Sequence, residues 1–396
     1  MRLLSRMSVP VALLAVAIAG PAVASADSGQ GTYQAPEHVY LDGNTAGANT
    51  IAGFVRHADG SLSALPRSPF AAGGAGLGAG LSSQDAVKFA HNGRYLLAVD
   101  AGSNQISVLS VGRDGSLTPV TGSPFSSGGV EPNSIAVHDG LVYVSNLGSA
   151  TAAPNYTGFT LTPWGQLHPI PNSTVTLPAG ENTGDIVLNN NATKLVGAVI
   201  GGTTPGSSLL NSYRVNWDGT LAAAPGSPFE AQGLGAFGSE FSPINPHQVF
   251  VSNAHNGAGL GTVSAFDDSW NGTLSSIGTS PFADQQTAPC WIFISHNGRR
   301  LYALNTGTGS VSTYSIVNDG TLTLRASTPL SNPVGAITGT DVTISDNDNT
   351  LYVNEAKNGT VGAFKINPDG TVRQLPGSPY ATGFGTGSTT IGVADN

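Results

Sequence analysis

Cysteine is almost missing from this chain. Cys290 is the only one in 396 residues, so no disulfide framework can hold the fold, and with no histidine positioned to activate it, it reads as a small buried hydrophobe. Charge is scarce as well. Asp, Glu, Lys and Arg make up 10% of the residues, against about 25% in an average soluble domain. The 15 Lys and Arg are outnumbered by 24 Asp and Glu, leaving a net charge of -9. Without clustered cations, nucleic acid is not the expected partner. No Gly-Lys-Ser/Thr follows the Gly-rich tracts, so they are loops and not phosphate cradles. Long apolar runs are missing too, with one exception. Arg2 and Arg6 precede "VPVALLAVAIAG", and small residues close the segment at Ala24–Ala26. That pattern is expected to be a secretory signal over residues 1–26, too short for a comfortable membrane span. The expected mature protein, residues 27–396, is then exported, does not insert in a membrane, and is a monomer.

What the chain has instead is repetition. "DGSLTPVTGSPF" at residues 114–125 returns as "DGSLSALPRSPF", "DGTLAAAPGSPF", "NGTLSSIGTSPF" and "DGTVRQLPGSPY". The turn glycine falls at Gly60, Gly115, Gly165, Gly219, Gly272, Gly320 and Gly370, at intervals of 48 to 55 residues. A period in this range signals a repeat architecture. Within a unit, four alternating apolar-polar segments are separated by Asn-Gly, Gly-rich and Asp-Gly turns, which supply the positive φ of tight hairpins. Four antiparallel strands repeated around an axis make a β-propeller. The first segment, "EHVYLDGN", has the character of a second strand, and the last, "STTIGVADN", that of a first strand. The expected fold is therefore all-β: a single seven-bladed propeller whose first blade is closed by the C-terminal strand, leaving no free sheet edge.

The endings "VYVSN", "VFVSN", "LYALN" and "LYVNE", with "GSPF" at the fourth strands, resemble the lactonase-type seven-bladed propellers. That family is grouped with 6-phosphogluconolactonase and carboxymuconate-lactonizing enzymes, and is related to propellers named for a Tyr-Val-Thr-Asn repeat. The resemblance implies hydrolysis of a lactone at the channel mouth. Catalytic members carry a Pro-Arg-His triplet at the start of one inner strand and an Asn-Glu pair after the next strand. The corresponding positions here read Pro289-Cys290-Trp291 and Gly339-Thr340-Asp341, without the Arg or His, while Asn354-Glu355 keeps the pair, one residue early in its strand.

Aligning the inner strands puts Thr390, Ala86, Asn133, Asp185, Glu240, Trp291 and Asp341 in one ring around the channel, with a small gap in the fifth repeat. Three carboxylates in one ring need water, a donor or a cation, because burying them unpaired is costly. Three readings follow. Asp185 and Glu240 repel one another and one becomes a general base or acid, with Lys357 or His255 polarising a carbonyl and Glu355 beside them. Alternatively Asp185, Glu240 and Asp341 hold calcium, no cofactor being otherwise required. Or the carboxylates only stitch the blades together. Asn133, His255, Trp291 and Asp341 are the expected contacts to a lactone or carbohydrate-like ligand, Trp291 by stacking on its ring or else by plugging the channel wall. The rival to an enzyme is a non-catalytic extracellular binding propeller.

Overall fold

The computed structural model describes residues 37–330 and 339–396, which lie in one compact unit, Pro36–Asn396. The expected signal, residues 1–26, falls outside the described residues. Seven antiparallel sheets follow one another, and their inner strands are Ile391–Asp395, Val87–Ala90, Pro132–His138, Thr183–Leu188, Ala236–Phe241, Pro289–Ile294 and Val342–Ile344. In the first blade the C-terminal strand pairs with Glu37–Asp42, Ala394 opposite Tyr40. The two ends of the chain thus close one sheet.

The repeated phrase now has physical content. Each of its seven turn glycines has a positive φ, where a side chain would be strained. The hydroxyl of a second-strand tyrosine reaches the carbonyl of the next blade's turn glycine: Tyr40 to Gly115 at 2.7 Å, Tyr143 to Gly219 at 2.7 Å, Tyr302 to Gly370 at 3.1 Å. Tyr352 of the last blade reaches Gly60 of the first at 2.9 Å, so the same bond closes the ring. The serine of "SPF" accepts a third-strand amide in blade after blade, as from Gly53 to Ser68 and from Val108 to Ser123, both 2.9 Å. The sixth blade lacks that phrase and runs one continuous outer strand, Leu322–Pro329. Elsewhere the outer strand is broken into two short pieces, both paired with the third strand.

The glycines that follow "SPF" are explained by close approach. A Cβ on Gly74, Gly129 or Gly233 would stand 2.4 to 2.7 Å from Asp100, Asn146 or Asn253. These are the polar residues that end the second strands, opposite the first residue of the third: Asp100 faces Gln105, Asn146 faces Asn155, Asn253 faces Thr262. The core between blades is apolar, with clusters such as Ile200, Phe237, Trp291, Leu304, Val342 and Val353 bridging several of them. Lys194 and Asp268 form a buried ion pair, Nζ to Oδ1 at 3.0 Å, that joins the fourth blade to the fifth.

Candidate functional site

The connection into the second blade is the longest between described neighbours: residues 72–86 lie between its flanking strands, against residues 127–131 into the third. Its last part crosses the axis of the propeller. Ser83 Oγ donates to the Asn133 carbonyl of the third blade at 2.5 Å, and the Gln84 amide donates to the Gly184 carbonyl of the fourth at 3.1 Å. Gln84 Nε2 donates to Ser239 O in the fifth blade, and Ile292 N in the sixth donates to Gln84 Oε1, both at 3.0 Å. The Trp291 indole N–H donates to Ser83 O. One short segment therefore bonds to four inner strands other than its own and corks the channel. Gly238 makes room for it, since a Cβ there would lie 2.1 Å from Gln84 Oε1.

Above the cork a pocket of about 500 Å³ opens at the mouth. Gly80, Leu81 and Ser82 of the cork segment form its floor, Trp291 and Phe237 one wall, and Thr340, Lys357 and the loop Gly387–Thr390 the other. The two rings meet edge to face at 5.0 Å. Lys357 sits in a short turn, Ala356–Asn358, pinned by the Gly387 amide donating to its carbonyl at 2.8 Å. It is the one charged side chain among the described lining residues, which include no carboxylate and no histidine.

Below the cork the carboxylates gather, but not in one ring. Asp185 pairs with Ala198 and Trp291 with Leu304, each two residues beyond the second-strand apolar position. Glu240 pairs with that apolar residue itself, Phe250, because a register shift between Ala236 and Ser239 intervenes. Glu240 thus stands further down the channel, level with Phe293 and Lys88, which pair with Tyr302 and Leu97. At the upper level the fifth blade offers Gly238, and the third offers Ser134, paired with Ser145, where Asn133 was expected.

Asp185 is fully buried and both its oxygens are used. Oδ1 accepts from Ser134 Oγ at 2.9 Å and from Ile186 N at 2.7 Å; Oδ2 accepts from Ser239 N and Ser239 Oγ, both at 2.8 Å. It staples three consecutive inner strands. Asp341 does the same at the closing seam, accepting from Val342 N and from Val393 N of the first blade, each at 2.9 Å. Asn133 donates Nδ2 to Ser82 O and Thr183 O at 2.8 Å, again architecture. Burial pushes the Asp185, Glu240 and Asp341 carboxyls upward, and the charge of Asp85 pushes them further. Lys88 pairs with Asp85 at 2.9 Å; burial lowers its pKa, but Asp85 and Glu240 more than reverse that and keep it cationic. A second cavity of about 180 Å³ lies beside Asp85, Lys88, Phe293 and Asp395.

The remaining expected residues are scattered. Glu355 is buried at the strand-end position occupied by Asp100, Asn146, Asn253 and Asn305 in other blades, and accepts from Thr360 Oγ1 at 2.8 Å. Its place in the sheet, rather than the pocket, accounts for it. His255 is exposed on the loop after the second strand of the fifth blade, against Gly235, and is not among the residues lining the pocket. Among the described residues no three His, Cys, Asp or Glu are grouped to hold a metal ion, and Asp185 and Asp341 already direct their oxygens at N–H and O–H donors. Cys290 is half-buried where full burial was expected; its thiol is pushed up to about 12 by desolvation and takes a hydrogen bond from Thr306, surroundings that disfavour a thiolate. The sequence marks the cork only as a Gly-rich loop; its signals are its length and the polar "SSQD" that ends it.

Residues 248–387, from the second strand of the fifth blade to the loop beyond the seventh, match the family model described as "Lactonase, 7-bladed beta-propeller". Among solved structures, a candidate 6-phosphogluconolactonase from Bacteroides uniformis superposes with a TM-score of 0.71 at 18% identity, over 92% of this chain and 100% of that one. A candidate 6-phosphogluconolactonase from Bacteroides fragilis gives 0.69 at 14%, over 92% and 99%. The periplasmic gluconolactonase of Pseudomonas aeruginosa gives 0.66 at 16%, over 90% and 100%. No curated protein sequence matches. The chain is thus similar to lactonase-type seven-bladed propellers in fold along its described length, and in sequence over its last blades.

Proposed function

We propose that the mouth pocket binds a lactone or the hydroxy acid formed when its ring opens. The observation that carries this reading is the composition of the pocket: an aromatic wall of Trp291 and Phe237 faced by a single cation, Lys357, over an uncharged floor. A five- or six-membered ring packs its C–H face on the indole. The ammonium takes the lactone carbonyl or the carboxylate, a charge-assisted contact stronger than a neutral hydrogen bond. Thr340, Ser388 and Thr390 line the same pocket and offer hydroxyls for ring substituents. Exported carbohydrate metabolism fits such a ligand, given the expected signal segment.

Turnover is the second reading, and the lactonase family match over the segment that carries Trp291, Thr340 and Lys357 favours it. Lys357 would then stabilise the oxyanion that forms as water adds to the carbonyl. Among the described lining residues there is no carboxylate or histidine to act as general base, so this reading needs a base from the substrate or from solvent. Titrating a panel of γ- and δ-lactones and their hydroxy acids separates the readings. The expected result is binding without fast turnover, and a loss of affinity of about tenfold or more in Lys357→Met, as for removal of a charged partner. Equal affinity in that variant would remove the pocket from consideration. Rapid turnover would move the assignment from binding module to enzyme.

A further inference from the structure

Three of the chain's four tryptophans serve neither the core nor the pocket. Trp164, Trp217 and Trp270 are 74%, 99% and 77% exposed. All three sit on the turn between third and fourth strands, in the third, fourth and fifth blades. Turns in an antiparallel four-stranded sheet alternate between its two ends, so these lie on the face opposite the mouth pocket. The same turns elsewhere carry Ala58, Arg113, Asn318 and Pro368 just ahead of the Asp-Gly pair. The aromatic row is therefore confined to one continuous sector.

The turns that present the rings are fixed. Tyr95 of the second blade donates to Pro163 O at 3.0 Å, Tyr143 to Gly219 O at 2.7 Å, and Ser212 Oγ to Gly272 O at 2.7 Å. Asp218 and Asn271 turn inward, accepting from Thr220 and Thr273 of their own turns. A large exposed indole adds nothing to such a turn and leaves apolar area in water. Its use must lie in contact with something else.

The surroundings select that partner. From residue 114 to residue 298 the only Lys or Arg side chains are Lys194, buried in its pair with Asp268, and Arg214; the other basic groups are five histidines. One exposed cation across three blades cannot hold a phosphate polymer or an anionic membrane. The rings stand on separate blades, each in a turn that also carries polar residues, Thr162 and Gln166, Asn216, and Ser269, while the exposed aliphatics of the same face, Ile244 and Val317, sit singly on other turns. Separated flat aromatic platforms with neutral hydrogen-bonding groups suit a chain of sugar rings, whose C–H faces stack while hydroxyls reach the amides. We propose that this sector is a second, non-catalytic binding surface for an extended neutral polysaccharide of equatorially linked pyranoses. It is independent of the mouth pocket.

The test mixes the purified protein with insoluble cellulose, chitin and curdlan, and separately with phosphatidylcholine and phosphatidylglycerol vesicles. Retention on at least one polysaccharide is expected, released by its soluble hexasaccharide and accompanied by a change in tryptophan fluorescence. Each of Trp164→Ala, Trp217→Ala and Trp270→Ala should weaken retention, and the triple variant should lose at least about tenfold in affinity, while melting with the parent. Lys357→Met should bind the polysaccharide fully. No retention on any of the three, undiminished retention of the triple variant, or tryptophan-dependent capture by vesicles instead would each overturn the proposal.

Discussion

Replacing Asp185 with alanine is expected to lower the unfolding free energy by about 2–4 kcal/mol, because buried N–H and O–H donors lose their acceptor. The side chain holds donors from three inner strands. Its removal takes the acceptor from the Ser239 amide, at about 1–3 kcal/mol before relaxation, and leaves the Ile186 amide only its longer bond to Ser134 Oγ at 3.2 Å. Asp185→Asn should cost less. Its remaining oxygen still accepts from one side, but its amide N–H₂ faces the Ser239 N–H, donor against donor. Denaturant unfolding of both variants measures this, and the order Ala worse than Asn is part of the expectation. A general base would behave differently: Asp185→Asn would leave stability intact and abolish turnover. Variants as stable as the parent would return Asp185 to the list of catalytic candidates.

Stability should also rise on acidification from about pH 8 to about pH 5, the reverse of common behaviour. Burial pushes up the carboxyls of Asp42, Glu240, Asp341 and Glu355. It pushes Asp268 up to about 6 and Asp395 up to about 8, although Lys194 and Arg56 pull them back. A carboxyl raised in the folded state binds its proton there before the unfolded chain does. Its contribution is fully present below the unfolded pKa and is lost as pH rises through the folded one. The window therefore runs from about pH 8 down to the ordinary carboxylate range near pH 4. Below that, the exposed turn carboxylates act oppositely. Asp59, Asp114, Asp218, Asp319 and Asp369 are lowered by bonds from the Ser or Thr two residues on, and protonating them loosens the turns. The melting temperature should peak near about pH 5 and exceed its value at pH 8 by about 5 °C. A melting temperature that is flat or climbs between pH 5 and pH 8 would mean that these groups stay ionised in contact with water.

How much of this was legible in the sequence depends on periodicity. Turn glycines recur in all seven blades, "SPF" or "SPY" serines in five and tyrosines bonded to the next turn glycine in four, each in the same role wherever it occurs, so the fold and its closing strand are readable by counting. Asp185, Asp341 and Trp291 were placed at the right level by the same counting. Glu240 was not, because the shift between Ala236 and Ser239 changes which residue faces Phe250, and a bulge leaves no mark in composition. Glu355 looked chemical because a carboxylate is rare here; its neighbours in register, Asp100, Asn146, Asn253 and Asn305, show a strand-end position with a polar requirement. The cork was hidden for a different reason. Gln84 meets partners from residue 184 to residue 292, and no local pattern announces contacts across a propeller axis.

These elements leave the ligand to the space above Leu81 and Ser82 and the acidic groups to structure beneath. A crystal structure with the tightest-binding lactone or hydroxy acid of the panel tests that division most directly. Density for the ligand against Trp291, with an oxygen in hydrogen-bond reach of Lys357 Nζ and the cork unmoved, is the predicted result. Density beneath Gln84, beside Glu240 and Lys88, would contradict it.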